Sequence, residues 1–202
     1  MVDATVIACL GDSITAGSPL WDPDPDVRAR IGAGLVGAGL DERSQWEWWA
    51  ARLDGTLDFR NHGVHGQRTD EIAARLDAAA AGAGVLIVQG GINDVVQKRP
   101  VEEAARNLSG MVERGRRIGL ATALADVLPW NNGDGRAAND IAHLNTLIAE
   151  IAEGLGVPLL PFHDTLVDPD RPDRMRDEST DDGDHPSVEG HRLLGERAFR
   201  LP

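Results

Sequence analysis

Five short apolar runs, each separated from the next by a longer amphipathic stretch, constrain the fold of this chain more than any other feature. The runs cover residues 5–10, 57–61, 85–89, 120–125 and 157–161. Because they are continuously apolar rather than alternating, they predict parallel strands that are covered on both faces. The stretches predicted to be helical cover residues 43–53, 69–80, 101–117, 137–154 and 187–197. This alternation predicts a three-layer α/β/α fold with a doubly wound, five-stranded parallel sheet.

The length and composition indicate a single globular unit. The chain has 202 residues, of which 42% are hydrophobic and 26% charged, so a sizeable core and a polar surface are both available. An α/β chain of this length normally forms one compact domain. We therefore expect one domain over residues 1–202.

The net charge of −13 argues against nucleic-acid or membrane partners, because such a surface repels phosphate groups. The arginines at 114, 116 and 117 fall late in a predicted helix, where cations suit the carboxyl end of the helix dipole. Residues 1–10 lack the charge pattern and the apolar length of a signal peptide or a membrane span. We expect a cytoplasmic protein, and we expect its single cysteine, Cys9, to be buried in the core.

Three long segments are expected to be binding loops or lids rather than simple connections. They cover residues 18–41, 129–136 and 164–184, and they are rich in Gly, Pro, Asn and Asp. Whether residues 29–40 include a short helix is left open.

The sequence Gly-Asp-Ser-Ile-Thr at 11–15 follows the first predicted strand directly. A serine there lies at the crevice where parallel sheets bind ligands. Its hydroxyl becomes a nucleophile only when a base accepts its proton. Ser13 is therefore a candidate nucleophile that requires a histidine from another loop at the same edge.

The sequence Asp-Gly-Asp-His at 182–185 offers that histidine. An aspartate three positions before a histidine on a tight turn can accept the Nδ1 proton and stabilise the imidazolium. Asp182 is therefore expected to orient His185, whereas Asp184 and Asp181 are weaker candidates.

Two further loops offer hydrogen-bond donors for an oxyanion, which ester hydrolysis requires. Residues 61–69 contain Gly63 and Gly66, and residues 90–94 contain Asn93. A glycine lets a backbone N–H approach the substrate closely, and an asparagine amide is a neutral donor. The Ser13 N–H would be a third donor.

The segments 11–15, 61–69, 90–94 and 182–185 together resemble the four conserved blocks of the SGNH, or GDSL, hydrolase family, in the same order along the chain. The resemblance implies a serine esterase with a flavodoxin-like fold, strand order 2-1-3-4-5, and neither metal nor cofactor. It also implies Ser13, His185 and Asp182 as the catalytic triad, with Ser13, Gly66 and Asn93 as oxyanion donors. The family pattern favours Gly66 over Gly63, which leaves Gly63 as a turn residue. Ile14 replaces the leucine of the family motif and is expected to face the core.

Several neighbouring residues receive subsidiary interpretations. Trp21, Trp130 and His65 are expected to contact substrate, because they fall in loops near the proposed site. Asp12 and Asp94 are expected to be structural, holding the loops that carry their neighbours. The tryptophans at 46, 48 and 49 are expected to pack in the core or at an interface, and homo-oligomerisation is left open.

Two other functions remain as alternatives. A metal-dependent hydrolase could use oxygen ligands gathered at one sheet edge; the candidates are Asp12, Asn93, Asp94, Asp181, Asp182, Asp184 and His185. A non-catalytic sugar-binding module could keep the same fold. If the chain is an esterase, we favour small soluble esters, with deacetylation of carbohydrates or other small molecules as the preferred reaction.

Overall fold

A five-stranded parallel sheet forms the centre of the computed structural model, which describes residues 4–34 and 39–202. Its strands are β1 (Thr5–Gly11), β2 (Leu57–Gly63), β3 (Val85–Val88), β4 (Ala121–Ala125) and β5 (Leu159–Leu160). The strand order is β2-β1-β3-β4-β5, and every pairing is parallel. The predicted fold class and the strand order that the resemblance implied are both confirmed.

Helices cover both faces of this sheet. They are α1 (Ser13–Ala16), α2 (Pro25–Gly34), α3 (Trp46–Ala50), α4 (Thr69–Ala73), α5 (Leu76–Ala79), α6 (Ile92–Val96), α7 (Val101–Arg117), α8 (Gly135–Leu155), α9 (Phe162–Leu166) and α10 (Val188–Leu193). A π-helical turn, Leu194–Ala198, follows α10, and 3-10 turns lie at Glu42–Ser44 and Asp177–Ser179.

Alternating residues of β1 divide the core into two clusters. Ala8 and Leu10 pack into a cluster with α4, α5, α7 and α8, whereas Ile7 and Cys9 pack into one with α3, α9 and α10. Successive side chains of a strand point to opposite faces, so β1 contributes to both layers of packing. The burial of Cys9 is confirmed.

The structure corrects several predicted elements. The helix expected at 69–80 is divided into α4 and α5, and Arg75, between them, turns its guanidinium towards the carbonyl oxygens of His62 and Gly11. The strand expected at 157–161 is only two residues long. The prolines at 158 and 161 lack the N–H that a strand ladder needs, which limits this edge strand.

Two of the expected loops contain regular structure. Segment 18–41 includes α2, which begins before the range left open for a helix; residues 35–38 lie outside the described residues. Segment 164–184 contains the end of α9, a 3-10 turn and an antiparallel pair, β6 (Val167–Asp168) and β7 (Arg171–Met175). Their sequence is charged and rich in Arg and Asp, so apolar periodicity did not reveal them.

Gly63 is the last residue of β2 rather than a turn residue. A Cβ atom at this position would lie 2.1 Å from the backbone nitrogen of Ala16 in α1. The absence of a side chain therefore lets the backbone after β1 pack directly on the end of β2. The expectation that Gly63 serves as a turn residue is wrong for this reason.

Among the helices formed by residues 4–34 and 39–202, none combines the length and the apolar character that crossing a membrane requires.

Substituting Gly63 by alanine should destabilise the protein and impair its activity. The new methyl group would overlap the backbone of α1, and overpacking of this kind costs roughly 1–3 kcal/mol or more. Gly110→Ala is the matched control, because a methyl group at Gly110 in α7 would meet no atom of the described residues within 4 Å apart from the backbone of its own helix turn. It should add up to about 1 kcal/mol of stability. Urea unfolding measures both changes, and equal stability of the two variants would contradict the packing account.

Candidate active site

Ser13 begins the short helix α1 directly after β1. The Asp12 side chain caps this helix by accepting a hydrogen bond from the Ile14 N–H at 2.9 Å. Gly17 ends it with a φ of 96°, a conformation that glycine adopts without strain. Ser13 is 5% exposed, and Ile14 is buried among apolar residues, as expected. The turn therefore presents the serine at the carboxyl edge of the sheet while its neighbour anchors it in the core.

Gln89 attaches this turn to the adjacent strand. Its Oε1 accepts hydrogen bonds from the Thr15 hydroxyl at 2.9 Å and from the Asp12 N–H at 3.3 Å. Gln89 is 4% exposed and follows β3. Sequence reasoning did not single out this residue, although a glutamine at the end of an apolar run was a usable signal.

His185 approaches Ser13 from the loop before α10. Its Nε2 lies 3.2 Å from the Ser13 Oγ, and its Nδ1 lies 2.8 Å from Oδ2 of Asp182. The other carboxylate oxygen of Asp182 accepts the backbone N–H of His185 at 2.7 Å and that of Asp184 at 2.8 Å. The structure thus brings together the three residues that the sequence predicted as a triad, in an unbroken hydrogen-bonded series.

The environment of Asp182 favours its ionised form. Burial alone would raise its pKa, but hydrogen bonds from the side chain and backbone of His185 and from Asp184 outweigh that effect and lower the pKa. The Asp182 side chain remains 37% exposed, whereas that of His185 is 15% exposed. A carboxylate is therefore available to accept the Nδ1 proton of the imidazole.

Residues of the 129–136 segment support the Asp182–His185 turn. Asn132 donates to the Asp182 carbonyl and to the Asp184 carboxylate, both at 2.8 Å. Trp130 donates to the same Asp184 oxygen at 2.6 Å. Asp184 is therefore turned away from the imidazole, as its spacing predicted. Asn132 was missed by sequence reasoning, which gave residues 129–136 only as a binding loop or lid.

The predicted oxyanion donors lie on the loops after the strands that flank β1. Gly66 has a φ of 78°, and Asn93 stands in the first turn of α6, after Gly91 with a φ of 119°. The Asn93 amide donates to the Gln67 carbonyl at 3.0 Å, which joins the two loops. Within residues 4–34 and 39–202, the N–H groups of Ser13 and Gly66 donate to no other residue. These donors remain free for a ligand.

Asp12 and Asp94 hold the loops around the site, as expected. Asp94 accepts hydrogen bonds from the N–H and the hydroxyl of Thr69, both at 3.0 Å, which joins the start of α4 to α6. Asp12 is fully buried, and this burial raises its pKa from 3.8 to about 6. Neither carboxylate faces open solvent.

His65, Trp21 and Trp130 occupy different surroundings. The His65 ring centroid lies 5.8 Å from that of His185, and its Nδ1 lies 3.4 Å from the Ser18 Oγ. His65 also lines a cleft of about 610 Å³ beside the site. Trp21 does not line this cleft, and the guanidinium of Arg28 lies 4.8 Å above its ring. Trp130 borders a much smaller space on the other side of α1.

The oxygen ligands considered for a metal ion point to separate partners. Asp12 caps α1, Asp94 binds Thr69, and Asp184 binds Trp130 and Asn132. In the part of the chain that the structure describes, no three His, Cys, Asp or Glu side chains converge as a metal site would require. No observation at this edge therefore favours the metal-dependent alternative.

Comparison with solved structures finds the same fold in several lipolytic proteins. A protein assigned to the lipolytic G-D-S-L family from Desulfitobacterium hafniense is 23% identical, with a TM-score of 0.76 over 95% of this chain and 96% of its own. A member of that family from Veillonella parvula is 19% identical, with a TM-score of 0.73 over 95% and 94%. The psychrotrophic esterase EstA from a Pseudoalteromonas species is 20% identical, with a TM-score of 0.64 over 96% and 93%. At these identities the likeness concerns the fold.

Comparison with family models identifies the class of enzyme. The model of the GDSL-like lipase/acylhydrolase family matches residues 9–193. The chain belongs to this family, and it is a carboxylic ester hydrolase. A search of curated protein sequences found no significant match.

The buried carboxyl group of Asp12 should make stability depend on pH. The pKa of Asp12 in the folded state is about 6, above the usual 3.8. The protonated carboxyl group therefore stabilises the fold below pH 4, and this contribution is lost as the pH rises through 6. Asp12→Asn keeps an oxygen for the Ile14 N–H but does not titrate. The unfolding free energy of the wild type relative to this variant should therefore fall by up to about 3 kcal/mol between pH 4 and pH 7.5. Parallel pH profiles in urea unfolding would show that Asp12 does not titrate in this range.

Proposed function

We propose that this protein hydrolyses carboxylic esters with Ser13 as the nucleophile, His185 as the general base and Asp182 as the group that orients His185. The proposal rests above all on one observation, the hydrogen-bonded series from the Ser13 hydroxyl through the imidazole to Asp182. This series has the nucleophile, base and orienting group that acyl transfer by serine requires.

In the proposed reaction, the Ser13 Oγ attacks the ester carbonyl carbon while its proton passes to Nε2 of His185. The imidazolium then gives this proton to the leaving alcohol oxygen, and the C–O bond to the alcohol breaks. Water attacks the resulting acyl-enzyme with the imidazole again acting as base, which releases the acid and restores Ser13. Asp182 stays ionised throughout and stabilises the imidazolium.

The negative charge on the tetrahedral oxygen would be met by the N–H groups of Ser13 and Gly66 and by the Asn93 amide. Two of these are backbone donors without a protein acceptor among the described residues, and Asn93 keeps one amide hydrogen beyond its bond to Gln67. Donors fixed in advance at the developing charge lower the barrier, because they need no reorganisation during the reaction. Proton transfer and charge stabilisation are thus supplied by the chain itself, and the mechanism needs neither metal nor cofactor.

We propose small soluble esters as the substrates, with acetylated carbohydrates among the classes to test. The acidic surface opposes binding to anionic lipid surfaces or nucleic acids. The fold and the serine site together do not choose the alcohol or the acyl group, which the surrounding cleft must select.

Ser13→Ala should reduce the kcat for hydrolysis of p-nitrophenyl acetate by a factor of at least about 10³, because the nucleophile is lost. Ser109→Ala is the matched control, since Ser109 is half-buried on α7 and its side chain bonds only to Glu113 among the described residues. EDTA should leave the wild-type rate unchanged. Circular dichroism should confirm that both variants remain folded.

The opposite result would contradict the serine mechanism. If EDTA abolished hydrolysis while Ser13→Ala retained it, a metal-dependent reaction would account for the activity. Roles for Ser13, His185 and Asp182 in covalent catalysis would then be wrong.

A further inference from the structure

Two side chains from the segment after β4 contact the turn that carries His185. Oδ1 of Asp184 accepts hydrogen bonds from the Trp130 indole N–H at 2.6 Å and from the Asn132 amide at 2.8 Å. The same Asn132 amide donates to the Asp182 carbonyl at 2.8 Å. We call Trp130 and Asn132 the clamp, because their donors meet at one carboxylate of the turn.

The backbone of the turn is shaped to receive the clamp. A Cβ atom at Gly183 would lie 2.9 Å from both Nδ2 and Oδ1 of Asn132, so the asparagine lies directly against the glycine. Gly183 has a φ of 80°, a conformation that glycine adopts without strain. Its carbonyl accepts the backbone N–H of Asn131 at 3.0 Å. The glycine therefore permits the close approach of Asn132 to the turn.

The clamp is in turn attached to the body of the protein. The Trp130 ring packs against the apolar cluster that includes residues of α7 and α8. The side chain of Asn131, between the two clamp residues, accepts the Met175 N–H at 2.6 Å and donates to the Met175 carbonyl at 3.2 Å. Met175 ends β7 and is fully buried. These contacts tie the position of the clamp to the core and to β7.

The hydrogen bonds within the turn have a different effect. The Asp182 carboxylate accepts the N–H groups of Asp184 and His185 and contacts Nδ1 of His185. These bonds fix His185 relative to Asp182, but they fix neither residue relative to Ser13. The distance of 3.2 Å between Nε2 of His185 and the Ser13 Oγ joins two separate segments, so it depends on contacts from outside the turn. The clamp supplies such contacts at both Asp182 and Asp184.

We propose that Trp130 and Asn132 are positioning residues for the reaction, which hold the turn 182–185 so that Nε2 of His185 stays within reach of the Ser13 hydroxyl. This inference rests on the proposed serine mechanism, because there the proton must pass from that hydroxyl to Nε2. The carboxylate that the clamp binds acts as a hydrogen-bond acceptor, and its charge is not required.

Replacing either clamp residue should lower kcat for p-nitrophenyl acetate while KM stays within about twofold, because the groups that bind substrate are unchanged. Asn132→Ala removes the amide donor to both partners and should lower kcat roughly 10–100-fold, since a small misplacement of a catalytic group is costly. Trp130→Phe keeps a ring but removes one donor, and should lower kcat about fivefold.

Matched controls carry the same substitutions elsewhere. Asn139 is exposed in α8, Trp48 is half-buried in α3, and neither side chain hydrogen-bonds to another described residue. Asn139→Ala and Trp48→Phe should therefore keep the wild-type kcat.

Two substitutions of Asp184 separate position from charge. Asp184→Asn keeps an oxygen for both donors, so kcat should stay within about fivefold of the wild type. Asp184→Ala removes the acceptor and should lower kcat as far as Asn132→Ala does. The double variant with both alanines should be no slower than either single variant by more than about twofold, because both remove the same contact.

The possible results separate the inference from the function on which it rests. Wild-type kcat in Asn132→Ala, a loss confined to KM, or equal losses in Asp184→Asn and Asp184→Ala would overturn the inference while the serine mechanism stands. A loss of kcat that matches the loss of folded protein in circular dichroism would also overturn it, since the clamp would then serve stability alone. If Ser13→Ala hydrolyses the ester at the wild-type rate, the proposed function itself fails.

Discussion

The parallel pairing of β1 with β2 on one side and β3 on the other is the constraint on which the rest of the site depends. Its register sets Gly11 opposite Gly63 and Leu10 opposite Val88, so three strands end at nearly the same level. The loops that carry Ser13, Gly66 and Asn93 therefore begin side by side. The packing of Gly63 on the backbone of Ala16 then sets the distance between the turn that carries Ser13 and the loop that follows β2. Loops that are distant in sequence thus start from adjacent strand ends through backbone pairing.

Two carboxylates near the site, Asp182 and Asp12, have different surroundings and take different roles. Asp182 keeps contact with solvent and accepts three hydrogen bonds from its own turn, so its pKa is lowered. Asp12 lies beneath Ser13 without solvent contact, and burial raises its pKa to about 6. The same functional group thus holds an imidazole in one place and caps a helix in the other. Which role each takes is decided by burial and by the donors around it.

Much of this organisation could be predicted from the sequence because it is encoded locally. Continuous apolar runs marked the strands, short motifs at two strand ends marked Ser13 and Asn93, and a motif before the last predicted helix marked the Asp182–His185 turn. Other features depend on tertiary contacts that leave little local signal. Asn132 matters only because the fold places it against Asp182 and Asp184, and Gln89 only because β3 lies beside β1. The pair β6–β7 was missed, and α2 was left open with other bounds, because neither buries an apolar face of recognisable period.

The central claim is that Ser13 carries the covalent intermediate, and mapping the site of a phosphonate adduct tests it most directly. A p-nitrophenyl alkylphosphonate would be added in slight excess, with residual esterase activity followed in parallel and the modified peptide identified by mass spectrometry. The account predicts one adduct per chain, located on Ser13, with loss of activity in proportion to its formation. Complete inactivation with the adduct on another residue, or full activity with Ser13 modified, would contradict it.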